Sequence, residues 1–441
     1  MRRLPTIGLR SLAVLGLATV LLLGVGAVSG VGGIDSVGGL RSSAPATGEV
    51  VPPVDRLAAT IDRAQERLRR VPGDHGGWAT LGLSYLEQAR VTADPTFFAK
   101  ADGALRRSLA VRPDDNSAAM AGLGALANAR HDFTAAADWA RKALRTNPYS
   151  AEAYAVLADA ETQLGRPGPA TGAVQRLLDL RPGLSALTRA SYDHEQHGRT
   201  VEATGLMRQA LAAAFDPADV AFCRYQLGEL AWHSGDLAGA EREYTATAAG
   251  YPPLLQGRAK VAAARGRLAE ALAGYAELTS RSPTPGYLLE YAELLEVAGR
   301  GTEAEAQRDL ADATHRLFTD NGGADDLAGA AIALARSRPV EALAMAQREW
   351  QRRQFAEVAD MLGWALHANG KHTEALRYAR RAESLGARNA RYAYHLGMIE
   401  LASGDRAAAR RDLARALDIN PYFSPLDAPA AARTLAGLGK P

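Results

Sequence analysis

Two histidines flank a glutamate and a glutamine in His194-Glu195-Gln196-His197, the most metal-like string in the chain. Paired imidazoles on one helix face hold zinc when they stand at i and i+4; here they are one residue closer, and no third ligand is evident nearby. The string reads as the solvent-facing end of a helix that stops at Gly198. A metal-handling protein would have to recruit His233 as well, from a separate segment. Nucleophilic chemistry fares no better. There is no G-x-S-x-G elbow, P-loop or G-x-G-x-x-G turn. The single cysteine, Cys223, lies between Phe222 and Arg224 with no base beside it and reads as a small buried hydrophobe. The expectation is therefore no catalytic residue, no metal and no cofactor: a protein that is not an enzyme.

What the chain does carry is a beat. Prolines recur at Pro113, Pro148, Pro182, Pro217, Pro252 and Pro283, and a step near 34 residues is the mark of stacked helical hairpins. Residues 117–150 show one unit. Met120, Leu123, Gly124 and Ala127 fall three and four apart on one helix face. His131-Asp132-Phe133 turns the chain, and Ala136, Ala140, Ala143 and Leu144 form the inner face of a second helix that Asn147-Pro148 stops. Small residues at Gly124 and Ala136 let the two helices cross closely. Composition agrees: Ala, Leu, Arg and Glu favour helix, and aromatic residues are only 6%.

The same order returns in Trp78, Leu81-Gly82, Tyr85, Ala101 and Pro113; in Leu227-Gly228, Gly235-Asp236, Ala240 and Pro252; and in Leu396-Gly397, Gly404-Asp405, Ala409 and Pro421. This pattern resembles the tetratricopeptide repeat superfamily, over about residues 75–441. The resemblance implies an all-α fold, an α-solenoid of helical hairpins wound as a right-handed superhelix. It also implies protein or peptide binding along the concave face. Carrying the family's concave positions onto this chain selects Asp159, Thr162 and Gln163, then Tyr192, Glu195 and Gln196, then Tyr225, Glu229, Trp232 and His233. Glu293 and Glu296 follow, and then Asp360, Trp364, His367 and Tyr394. The set is acidic and aromatic, which suits a basic or extended peptide. In the competing reading these acids pair with basic second helices carrying Arg141, Arg176 and Arg208. The Lys and Asn with which the family grips a carboxyl terminus are missing from the selected set.

The chain's ends complete the expectation. Arg2, Arg3 and Arg10 precede an uncharged run, Ser11 to Ile34, long enough to span a bilayer. Ala27-Val28-Ser29 would also suit a signal peptidase. Residues 1–34 thus read as a signal anchor or signal peptide, and 35–54 as a flexible linker rich in Gly, Ser and Pro. An N-terminal array over 55–317, an irregular joint over 318–339 around Asn321-Gly322-Gly323, and a C-terminal sub-array with a capping helix over 340–441 follow. The expected protein is a bacterial-type, extracytoplasmic adaptor, membrane-anchored with its repeats outside or secreted after cleavage. A self-associating envelope scaffold is the structural alternative. Net charge is +2, from 51 basic and 49 acidic residues, and gives no basic stripe that would call for nucleic acid.

Overall fold

The computed structural model describes residues 53–247 and 250–439. Among them are 22 helices and no strand. A single helix, α1 (Pro53–Arg70), comes first. Ten hairpins follow: α2 (His75–Thr92) with α3 (Phe97–Val111), α4 (Ser117–Ala129) with α5 (Phe133–Thr146), α6 (Ala151–Gln163) with α7 (Pro167–Leu180), α8 (Leu184–Gln196) with α9 (Thr200–Ala212), and α10 (Pro217–His233) with α11 (Leu237–Thr245). The next five are α12 (Pro252–Ala264) with α13 (Leu268–Arg281), α14 (Pro285–Val297) with α15 (Gly301–Asp320), α16 (Asp326–Ala335) with α17 (Pro339–Arg352), α18 (Ala356–Ala368) with α19 (His372–Ala382), and α20 (Ala390–Ala402) with α21 (Arg406–Ile419). A last helix, α22 (Asp427–Gly437), covers the end of the stack, where an unpaired repeat would leave its apolar face wet.

Short polar side chains start many of these helices. Asp132, Asp236 and Asp405 each accept a hydrogen bond from the backbone N–H three residues on. Glycines such as Gly165, Gly198, Gly235, Gly370 and Gly404 take the left-handed conformation that turns a first helix into its second. Each second helix then sets an alanine against its partner. Ala101, Ala136, Ala170, Ala203, Ala240, Ala271, Ala304, Ala342, Ala375 and Ala409 are all buried. A side chain on Gly82, Gly124, Gly363 or Gly397 would press on the carbonyl of that alanine, at 3.2–3.3 Å. Ser191 fills the same place in α8 and donates to the Ala203 carbonyl at 2.8 Å.

Residues 318–339, expected as an irregular joint, hold the end of α15, a short turn, α16 and the link into α17. Ser337, at φ 58°, makes the left-handed turn that glycine makes in most of the hairpins and His131 makes between α4 and α5.

The solenoid comes back over itself after five hairpins. The loop after α17 seats on the α6–α7 turn, where a Cβ on Gly165 would strike the Gln354 backbone. The loop after α19 closes in the same way on Gly198 through Gly386, and the loop after α21 lies against Gly235 through Ile419 and Asn420. Hydrogen bonds stitch this seam. Ala324 N–H donates to the Arg130 carbonyl at 2.9 Å, and Asn420 Nδ2 to the Trp232 carbonyl at 2.8 Å. The Arg353 guanidinium bonds Gln163, and Ser424 Oγ donates to Glu293 at 2.5 Å.

One expectation is corrected. No helix among the described residues is long and apolar enough to cross a membrane. The run Ser11–Ile34, on which the extracytoplasmic, membrane-anchored placement rested, lies outside the described residues, as does most of the 35–54 linker.

Candidate functional site

First helices line the inner side of the coil, most of them packed on the next first helix, and the side chains selected from sequence all lie on first helices. The richest stretch spans α10, α12 and α14. Glu229 of α10 receives Lys260 Nζ of α12 at 2.6 and 2.8 Å and the hydroxyl of Tyr244. The Lys260 ammonium also lies 5.2 Å from the Trp232 ring centroid. One helix further on, Gln256 accepts from Tyr225 Oη at 2.9 Å and donates to the Glu290 carboxylate at 2.7 and 2.9 Å. Tyr275 Oη donates to the same carboxylate at 3.0 Å. His233 meets Glu195 of α8 at 2.9 Å and, at 46% side-chain exposure, is the most open group of the wall.

Electrostatics follow from who faces whom. Burial works against the Glu229 charge, but Lys260 and His233 outweigh it, and the carboxyl titrates below its usual range. Burial likewise disfavours His233 in its charged form, and Glu195 and Glu229 reverse the effect and raise its pKa. Glu290 is different: burial wins over Lys260, Gln256 and Tyr275, and its pKa rises. Tyr225, Tyr244 and Tyr275 are pushed well above the ordinary phenol value, first by burial and then by neighbouring carboxylates. At neutral pH their hydroxyls stay protonated and serve as donors.

A second group lies on α18 and α20. The Trp364 ring stacks on His395 at 4.1 Å and on His367 at 4.9 Å. His395 Nδ1 is 2.9 Å from both oxygens of Asp360, and Tyr394 is fully buried beside Trp364. Burial, then His372 and His395, lowers His367 to about 4. Near the start of α18, burial pushes Glu357 up to about 8, only partly opposed by Arg353.

The remaining selected residues divide between neighbours. Asp159 is held by Arg189 of the next first helix at 2.7 and 2.8 Å. Gln163 belongs to the seam with Arg353. The Tyr192 ring sits between the coils near Glu357, and its pKa is well above normal through burial. Charges on the inner wall therefore pair from one first helix to the next. Pairs of the other expected kind also occur: Arg141 of α5 bonds Glu161 of α6, and Arg380 of α19 lies 3.9 Å from Glu400 of α20.

Gln256, Lys260, Glu290 and His395 are the inner residues that sequence reasoning passed over. The register that picks Tyr225 and Glu229 in α10 picks Gln256 and Lys260 when carried to α12, so the signal was present for those two. The histidines proposed for a metal are spread out. His194 Nδ1 receives Arg199 Nε at 2.9 Å, His197 Nδ1 contacts the Asp193 carbonyl at 2.7 Å, and His233 faces Glu195. Among the described residues no group of three or more His, Cys, Asp or Glu side chains could hold a metal ion.

The family model of the tetratricopeptide repeat matches residues 390–423, which are α20, α21 and the turn that follows. That match marks one tetratricopeptide repeat, in the tenth hairpin. No protein of curated description matches the chain. Three solved structures are similar. One is a tetratricopeptide repeat protein from Parabacteroides merdae ATCC 43184, at 18% identity and a TM-score of 0.34, covering 58% of this chain and 99% of that one. Another is Naa15/Naa10 bound to HypK-THB, at 16% identity and a TM-score of 0.27, covering 84% and 64%. The third is a monomeric mutant of IFIT1 with Gppp-AAAA, at 15% identity and a TM-score of 0.39, covering 82% and 77%.

Proposed function

We propose that this tetratricopeptide array is a non-enzymatic adaptor that holds a basic, extended segment of a protein partner against the wall built by α10, α12 and α14. One observation carries the reading: three successive first helices set two bonded groups in one row, Glu229 with Lys260 and Tyr244, and Glu290 with Gln256 and Tyr275, Gln256 also holding Tyr225. Such a row is rigid before any partner arrives, so little conformational entropy is lost on binding, and tyrosines add contact area with few rotatable bonds. Acids outnumber cations along it. Glu290 titrates high because burial is not matched by enough positive charge. A lysine or arginine from a partner would supply what the interior lacks.

The test compares extended basic, neutral and acidic peptides of equal length by fluorescence polarisation with the full chain. Basic peptides should bind best. Glu290→Gln, which keeps the shape, and the pair Glu229→Ala with Trp232→Ala should each weaken them while helicity persists. Equal binding of all three peptide classes, or no response to Glu290→Gln, would remove this wall from consideration.

A further inference from the structure

The seam between the two coils has a free counterpart. Residues 420–422 read Asn-Pro-Tyr, and so do residues 147–149. Both triplets follow a second helix, and both fold alike. Asn420 Oδ1 accepts from Tyr422 N–H at 2.8 Å, and Asn147 Oδ1 accepts from Tyr149 N–H at 3.1 Å. Their surroundings are opposite. Asn420 is 2% exposed because its Nδ2 donates to the Trp232 carbonyl and its backbone lies against the Gly235 turn. Asn147 is exposed, and Tyr149 beside it is 72% exposed. On the same rim, in the loop after α9, Phe215 stands 94% exposed.

The receiving half of the contact is free as well. Turns at Gly165, Gly198 and Gly235 are covered by the second coil. Those at Gly266, Gly299, Gly370 and Gly404 share the left-handed backbone, at φ 73–90°, and a Cβ on any of them would meet open space. One rim of the molecule thus presents unused loops, and the opposite rim presents unused turns of the kind such loops already occupy internally.

We propose that a second copy of this chain docks its Asn147-Pro148-Tyr149 rim onto the open glycine turns, extending between molecules the contact that each makes with itself. The argument is continuity: the same triplet, in the same local fold, is already seated on the same type of turn. A contact that joins one rim to the opposite rim is heterologous and does not close as a two-fold dimer does, so the assembly grows by stacking.

Sedimentation velocity of the full chain across a wide range of concentration tests this. Association that strengthens with concentration is expected, and a monomer throughout overturns the proposal. Asn147→Asp keeps the Oδ1 acceptor that shapes the loop and removes the amide donor; combined with Tyr149→Asp it should weaken association about tenfold or more, the loss expected of a central contact, without lowering the melting temperature. An unchanged association constant overturns the proposal. The double variant still offers intact turns, so mixed with the unaltered chain it should cap the stacks and shorten them. Failure to enter mixed complexes overturns the rim-to-rim geometry. Asn420→Asp, the same change at the internal seat, should instead lower stability.

Discussion

The wall on α10, α12 and α14 and the cluster on α18 and α20 occupy equivalent faces of equivalent helices, yet they solve burial differently. In the first, each charge meets an opposite charge or a hydroxyl: Glu229 with Lys260, Glu195 with His233, Glu290 with Gln256 and Tyr275. In the second, a tryptophan is layered between imidazoles, and the Asp360 carboxylate is spent on His395. Most residues of α18 and α20 are buried, whereas the α10 wall keeps His233 and Glu195 partly open. The register of a repeat decides which residues face inward; the winding of the coil decides whether they still face solvent. A partner can be held only where inward and open coincide.

The largest expected effect separates the two regions most sharply. Trp364→Ala removes a ring that is 5% exposed and leaves its imidazole neighbours around a void, so it should cost about 3–5 kcal/mol, read from the urea midpoint. Peptide binding at the α10 wall should be unaffected in the molecules that remain folded. Lys260→Met comes next. It strands Glu229 and should cost about 1–3 kcal/mol, while Glu229→Gln added to it should recover much of the loss. No recovery would mean that the pair is not the source of the stability.

Ala240→Leu and Ala375→Leu test what the regions share. Both alanines are fully buried at the helix crossing, one in each region, and overpacking should cost about 1–3 kcal/mol at either site. A large difference would show that one crossing can widen where the other cannot.

The smallest effects are those of pH, and here α18 is opposed at its two ends. The Glu357 carboxyl is raised to about 8, so its contribution is fully present below its ordinary value of 4.5 and is lost as pH rises from there to 8. His367 is lowered to about 4, so its contribution is present above 6.5 and is lost as pH falls toward 4. The two slopes oppose each other between pH 4.5 and 6.5, and the alkaline decline should remain above it. Glu357→Gln should flatten that decline, as followed by melting temperature against pH; a decline of unchanged steepness would assign it to other carboxyls.

Much of the array could be read from spacing. Gly235-Asp236 and Gly404-Asp405 announce a left-handed turn followed by a helix cap, and the structure has both. The hairpin of α16 and α17 escaped because Ser337 stands where glycine was expected and α16 has only ten residues, which broke the beat. At the inner wall, Tyr225 and Glu229 were legible from the register, but their partners were not. That Tyr225 meets Gln256, or that Glu229 takes Lys260 and Tyr244 together, depends on how far one hairpin rotates past the next. The seam was illegible for a stronger reason. Gln163 and Arg353, or Trp232 and Asn420, stand 190 and 188 residues apart, and no periodicity within a unit of about 34 residues encodes such a meeting.

The same separation changes how the molecule should come undone. An open row of repeats is held by nearest neighbours and can fray unit by unit from either end. Here the hydrogen bonds at Arg130, Gln163 and Trp232 tether early hairpins to late ones. Forming them means closing loops of nearly half the chain, a slow step because that entropy must be surrendered before the contact gives anything back. Once made, they hold the terminal hairpins against peeling, so the late hairpins should melt together with the early ones rather than before them.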